Sequence, residues 1–130
     1  MNKKENAVVF KHNGYNCCQA VLAAYASDIG ISDETAKRLG AGFGAGMGGM
    51  EGTCGALCGA ELVLGLSEYR GAPVMKQAKS IHASFNDKCG ATICKDLKQM
   101  TDGKPLCSCD DCVRNAVAVI EENKAKQGVV

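Results

Sequence analysis

The sequence predicts an all-α fold: a compact bundle of about six or seven short helices with one glycine-rich loop between them. Three observations carry this. No segment alternates with period two for long enough to make a convincing strand. Apolar residues recur instead at spacings of three and four, most clearly in Val74, Ala78, Ile81 and Phe85. Residues that cap helix starts stand just ahead of such runs, at Asn16, Ser32, Thr53, Thr92 and Ser108. At 130 residues the chain suffices for one domain, expected to span residues 1–130, with its own core.

A first helix is expected over Lys3–His12, with Ala7, Val8 and Phe10 apolar and Asn13-Gly14 as the stop. Asn16 with Gln19 has the spacing of a capping box and opens a second helix, Cys17 to about Ser27, closed by Gly30. Ser32 caps a third, with Asp33 and Glu34 in its first turn and Leu39 facing inward. After the glycine loop, Thr53 reads as the cap of a helix Cys54–Leu64 that Gly65 closes. Pro73 opens a longer helix as its first residue, with Cys89 in its last turn and Gly90 as the left-handed stop. Thr92 caps a short helix bearing Cys94 and Leu97, and residues 101–105 read as a turn. Ser108 with Asp111 starts the last helix, which buries Val113, Ala116, Val117 and Ile120 and ends near Lys124 and Lys126.

Composition excludes several classes of function. The formal net charge of +1 and the absence of a basic patch argue against nucleic acid as a partner. No run approaches twenty apolar residues and the Met1–Glu5 start is polar, so no membrane insertion or export is expected and a cytoplasmic location follows. Nine cysteines are far more than such a chain ordinarily carries. In a reducing compartment they point to metal binding or redox chemistry rather than to a disulfide scaffold.

The chain is organised around Gly40–Ala60, which holds nine of the sixteen glycines and then turns abruptly rich in Ala and Leu. A glycine loop feeding a helix exposes unpaired N–H groups at that helix's positive end. Cys54 stands there, with Cys58 one turn on along the same face, so its pKa should be lowered. Three more cysteines share that placement: Cys17 after Asn16, Cys94 two after Thr92, and Cys109 after Ser108. Converging helix starts would stabilise several thiolates or the sulfides of an anionic cluster. Cys18 points about 100° away from Cys17 around the helix. Cys89 lies five before Cys94, near enough for a disulfide or shared ligation, and Cys107, Cys109 and Cys112 form C-x-C-x-x-C, a dithiol or two-ligand clip. Any one of these, taken alone, reads as a buried small residue.

Weaker signals surround these. Gly44–Gly49 satisfies G-x-G-x-x-G, but with no strand before it the pattern reads as a loop that lets backbone approach a cluster or helix. His12 and His82 read as a helix end and a partly buried surface residue, Glu51 and Glu61 as solvated or paired carboxylates, and the lysines as scattered over solvated faces.

Five segments, in order, carry a resemblance: Asn16-Cys17-Cys18-Gln19-Ala20-Val21-Leu22, the run Gly42–Gly49, Thr53-Cys54-Gly55-Ala56-Leu57-Cys58-Gly59-Ala60, Cys94-Lys95-Asp96-Leu97 and Cys109-Asp110-Asp111-Cys112-Val113. Together they resemble the C_GCAxxG_C_C family of redox-active proteins across nearly the whole chain. The family is named for four cysteines, which fall on Cys17, Cys54, Cys94 and Cys109, with Cys112 competing for the last place. The resemblance implies an all-helical redox-associated protein, found beside oxidoreductases and transporters. A related domain of split-Soret cytochrome c, where an iron–sulfur site is suspected, extends the implication. Cys112 is followed by Val113, so no C-x-x-C-H haem attachment motif is present and haem is not expected.

The expectation is a small iron–sulfur protein working in electron transfer with a redox partner protein. Cys17, Cys54, Cys94 and Cys109 would be ligands, and Cys58, Cys89 and Cys112 extra or alternative ones. Two other readings stand beside it: a thiol–disulfide oxidoreductase using Cys109/Cys112 or the Cys54 thiolate, and a zinc or copper(I) carrier. Small Ala- and Gly-rich helix faces leave a homodimer open.

Overall fold

The computed structural model describes residues 2–126, and helices occupy most of them. α1 (Lys3–His12) starts where the Asn2 side chain accepts the Glu5 amide at 2.9 Å. α2 (Cys17–Ile29) opens with a complete capping box. The Gln19 amide donates to Asn16 Oδ1 at 2.8 Å, and the Asn16 amide donates to Gln19 Oε1 at 2.9 Å. It runs two residues past Ser27, stopping at left-handed Gly30. α3 (Asp33–Gly40) is capped by Ser32, which accepts the Thr35 amide at 3.0 Å. Leu39, expected inside, is exposed. Ala36 and Gly40, four apart, form the buried face against α2 instead, and Leu39 lies off that face.

A 3₁₀ turn, η1 (Ala41–Phe43), and a single turn, α4 (Gly44–Met47), lead into the glycine loop. Ala45 and Gly46 are left-handed, so α4 closes one hydrogen bond, Gly48 N–H to the Gly44 carbonyl at 2.9 Å, without continuing as a helix. Then follow α5 (Gly55–Glu68), α6 (Met75–Cys89), α7 (Cys94–Leu97) and α8 (Cys109–Lys126).

Three expected boundaries move. α5 starts after Cys54, which is itself the cap residue in extended backbone, because Thr53 is engaged in a β-bridge with Ile93. It passes through Gly65, since one helical glycine costs only about 1 kcal/mol and Val63 and Leu64 are buried beside it. α6 starts at Met75 rather than Pro73, its first helical bond running from the Ala78 amide to the Val74 carbonyl at 2.9 Å. α7 is preceded by Ile93, not capped by Thr92, because the Thr92 carbonyl accepts the Cys54 amide. The turn at 101–105 tightens into a hairpin, β1 (Met100–Thr101) with β2 (Lys104–Pro105), in the register Met100↔Pro105. Asp102 and Gly103 both have positive φ there, as a two-residue hairpin turn requires.

The core is one continuous cluster in which α2 lies against α5, with α1, α3 and α8 also packed on α2 and α6 closing over α5 and α8. Tyr25, Phe85, Leu22, Leu57, Ile81 and Leu97 are its largest fully buried side chains, each contributing about 1.5–3 kcal/mol by leaving water. The stripe of α6 behaves as the spacing predicts, Ile81 and Phe85 fully inside and Val74 and Ala78 packed against the core. Arg114 of α8 holds both carboxylate oxygens of Glu5 on α1, at 3.1 and 3.2 Å. Among the described residues no helix is long and apolar enough to cross a membrane.

Gly59 sets how closely α2 and α5 approach. A Cβ there would stand 2.9 Å from Val21 Cβ and 3.0 Å from the Cys18 carbonyl, whereas one at Gly65 would meet nothing within 4 Å. Gly59→Ala is therefore expected to cost about 1–3 kcal/mol in chemical denaturation. Gly65→Ala is expected to add about 0.5–1 kcal/mol.

Candidate redox and metal centre

Two distant segments are zipped together by backbone alone. The Lys95 amide donates to the Met50 carbonyl at 2.8 Å, Cys94 N–H to the Gly52 carbonyl at 3.0 Å, and Cys54 N–H to the Thr92 carbonyl at 2.8 Å. This ladder sets Cys54, ahead of α5, beside Cys94, the first residue of α7. The glycine loop crosses over Cys94 at close range. A Cβ on Gly46, whose φ is +61, would stand 2.4 Å from Cys94 Cβ.

Two further helix starts reach the same place. Cys17 of α2 adjoins Cys109 of α8, and each shifts the other's pKa. Cys54 adjoins Cys112, and its charge acts on both Cys17 and Cys94. Cys17, Cys54, Cys94 and Cys109 are thus coupled through their charges, but among the described residues no three of their sulfurs lie within 4.8 Å of one another. Beyond Cys112 lies a second grouping. The sulfurs of Cys89, Cys107 and Cys112, all buried, are within 4.8 Å of one another.

The remaining cysteines separate from these. Cys18 is fully buried in the core. Cys58 points its sulfur at the Thr53 carbonyl, 3.8 Å away, on the outer side of α5. Cys89 and Cys94, close in sequence, turn to different groups, as do Cys109 and Cys112 of the C-x-x-C. The first-turn spacing of α8 sends Cys109 to Cys17 and carries Cys112 deeper.

Thiols shifted up and thiols shifted down alternate across this cluster. Hydrogen bonding from Cys112 holds the Cys54 thiol down to about 7, helped by the Ala56 and Leu57 amides at the start of α5 and by the Lys98 charge. Cys17, donating to Cys109, is driven up while Cys109 is driven down. Cys112 is driven up, with Cys107 and Cys54 both drawing on it, and Cys107 is driven down. A thiol has one proton to donate. Cys54, Cys107 and Cys89 therefore compete for the S–H of Cys112, whose sulfur also stands 3.8 Å from the Cys107 carbonyl.

Three contributors escape a reading of the sequence. Lys98, expected on a solvated face, is half-buried, with its ammonium 3.7 Å from Cys112 Sγ and 3.3 Å from the Cys107 carbonyl. Burial alone would lower its pKa, but the charges of Cys112, Cys109 and Cys54 more than offset this and raise it. Its spacing of four from Cys94 is the signal that could have placed it. Asn115, one turn after Cys112, donates to Cys89 Sγ at 3.2 Å. Cys107, left out of the expected ligands, completes the buried triad. Of the lesser candidates, His12 pairs with Asp110 at 2.8 Å and His82 is exposed rather than partly buried. Glu61 is half-buried, with its Oε1 buried and without a hydrogen-bond partner.

Two variants test this geometry. The Lys98 charge helps hold Cys54, Cys107 and Cys109 down, so Lys98→Met should move thiolate formation to higher pH, read from thiolate ultraviolet absorbance during titration. Gly46→Ala forces the loop off Cys94 and should cost about 1–3 kcal/mol, measured by denaturant titration.

No curated protein and no solved structure matches the chain. One family model does, described as "Putative redox-active protein (C_GCAxxG_C_C)", over residues 15–123. That span takes in both groups of sulfurs and every element from α2 to most of α8. The chain belongs to the C_GCAxxG_C_C family.

Proposed function

We infer that the chain is a small electron-transfer protein that holds an iron–sulfur cluster on Cys17, Cys54, Cys94 and Cys109. The observation that supports this best is the charge coupling of those four cysteines, each at a helix start, with the half-buried Lys98 ammonium acting on Cys54, Cys94 and Cys109. The donor set suits the group. It is all sulfur, two of its four thiols, Cys54 and Cys109, are already pulled toward thiolate, and amides of α5 face Cys54. When bound, a cluster supplies a reversible one-electron couple. The chain's own part is to neutralise its negative charge through Lys98 and the helix starts, and to cover it with the backbone of the glycine loop.

Cys89, Cys107 and Cys112 offer a separate three-thiolate set. Zinc or copper(I) bound by thiolates at about 2.3 Å spaces its sulfurs near 3.8 Å, a modest contraction of this triad. Cys112 could serve either group, and Cys58 neither. A redox partner protein would dock near Met47 and Met50, exposed apolar side chains on the loop over Cys94.

The contact of Cys17 with Cys109 favours a second reading, thiol–disulfide exchange. There the two thiols form one S–S bond and give two electrons and two protons to an oxidised dithiol protein.

Anaerobic purification and reconstitution separate these. The cluster reading predicts bound iron, acid-labile sulfide and visible charge-transfer absorption, with most of the iron lost in Cys54→Ser and retained in Cys18→Ser. Absence of iron together with a reversible Cys17–Cys109 disulfide, mapped by mass spectrometry, would favour the exchange reading. Zinc or copper alone would favour a carrier.

A further inference from the structure

On the outer side of α5, away from both sulfur groups, lies a cavity of about 350 Å³ between the glycine loop, α5 and α6. Phe43, Met47, Leu57 and Leu62 make its wall apolar, and His82 stands at its mouth. Glu61 lines it with a half-buried carboxylate, whose Oε1 behind the wall is buried and without a hydrogen-bond partner. We propose that this cavity is a binding site for a small molecule with an apolar body and one ammonium group, which Glu61 anchors. This does not depend on what the cysteines bind.

The volume is in the range of small-molecule sites. A buried carboxylate oxygen left unpaired costs about 1–3 kcal/mol or more, so the site carries an unmet demand for a donor. No Lys or Arg lines the cavity to meet it. An ammonium would, through a charge-assisted hydrogen bond in apolar surroundings. Burial lifts the Glu61 carboxyl to about 7, so near neutrality it is partly protonated and a cation arriving there must displace that proton.

The cavity also touches the chemistry next door. Cys54, Cys58 and Glu61 follow one another along α5 at spacings of four and three, and Cys58 forms part of the cavity wall. Burial, the charge of Cys54 and the charge of Glu61 together push the Cys58 thiol up to about 11. An ammonium on Glu61 would relieve the last of these and make Cys58 more acidic.

The test is calorimetric titration of the full chain with phenethylamine and with its neutral isostere 2-phenylethanol. At about pH 8 the amine should bind about tenfold more tightly or better. Glu61→Gln should bring the two ligands level, and Leu62→Trp, which fills the cavity, should exclude both. Proton release, read in two buffers of different ionisation enthalpy, keeps the test decisive if a variant fails to fold. Amine binding should release nearly one proton at about pH 6 and almost none at about pH 8. His82 and Cys58 are the other titratable groups facing Glu61. The release should therefore persist in His82→Asn and in Cys58→Ala. Equal binding of alcohol and amine, amine binding unchanged by Glu61→Gln or Leu62→Trp, release that does not vary with pH, or no binding of the amine at millimolar concentration would each overturn the proposal.

Discussion

Everything about the sulfur centre depends on three backbone hydrogen bonds joining residues 50–54 to 92–95. Side chains contribute nothing to that ladder, so the residues on either side of it are free to be chemical. It fixes Cys54 and Cys94 next to each other even though they are forty residues apart, and it consumes the groups that would otherwise cap α5 and α7. The amide groups at the start of α5 are then left to face sulfur. A covering of glycine follows from the same constraint, because a loop of ordinary residues could not lie this close to Cys94.

Within that frame the electrostatics are collective. Three sulfurs are held toward thiolate by three neighbours that keep protons, and one ammonium sits among them. Desolvation opposes each thiolate, and the hydrogen bonds outweigh it. A substitution at one cysteine accordingly alters proton occupancy at the others, through Cys112 above all.

The helical class, the capping box at Asn16, the Gly30 and Gly90 stops and the buried face of α6 were all legible, because each follows from local chemistry within a few residues. So was the family, since its cysteines are spaced along the chain in an order the eye can match. What could not be read were the effects of contacts distant in sequence. Thr53 and Thr92 look like caps until they are paired with each other's strand. Leu39 looks like core until Ala36 and Gly40 claim the packed face. Lys98, Asn115 and Glu61 carry no local mark of burial, and a C-x-x-C gives no sign that its two sulfurs will take different partners.

Amid so many glycines, three residues with side chains, Ala45, Met47 and Met50, hold positive φ in the loop over Cys94. Such conformations cost about 1–3 kcal/mol each for residues other than glycine. The segment is thus a latched spring rather than a relaxed coil, lying above helices that carry no such load. Its release would expose sulfur while the bundle beneath stayed folded, giving metal or oxidant a way in that needs no unfolding of the whole.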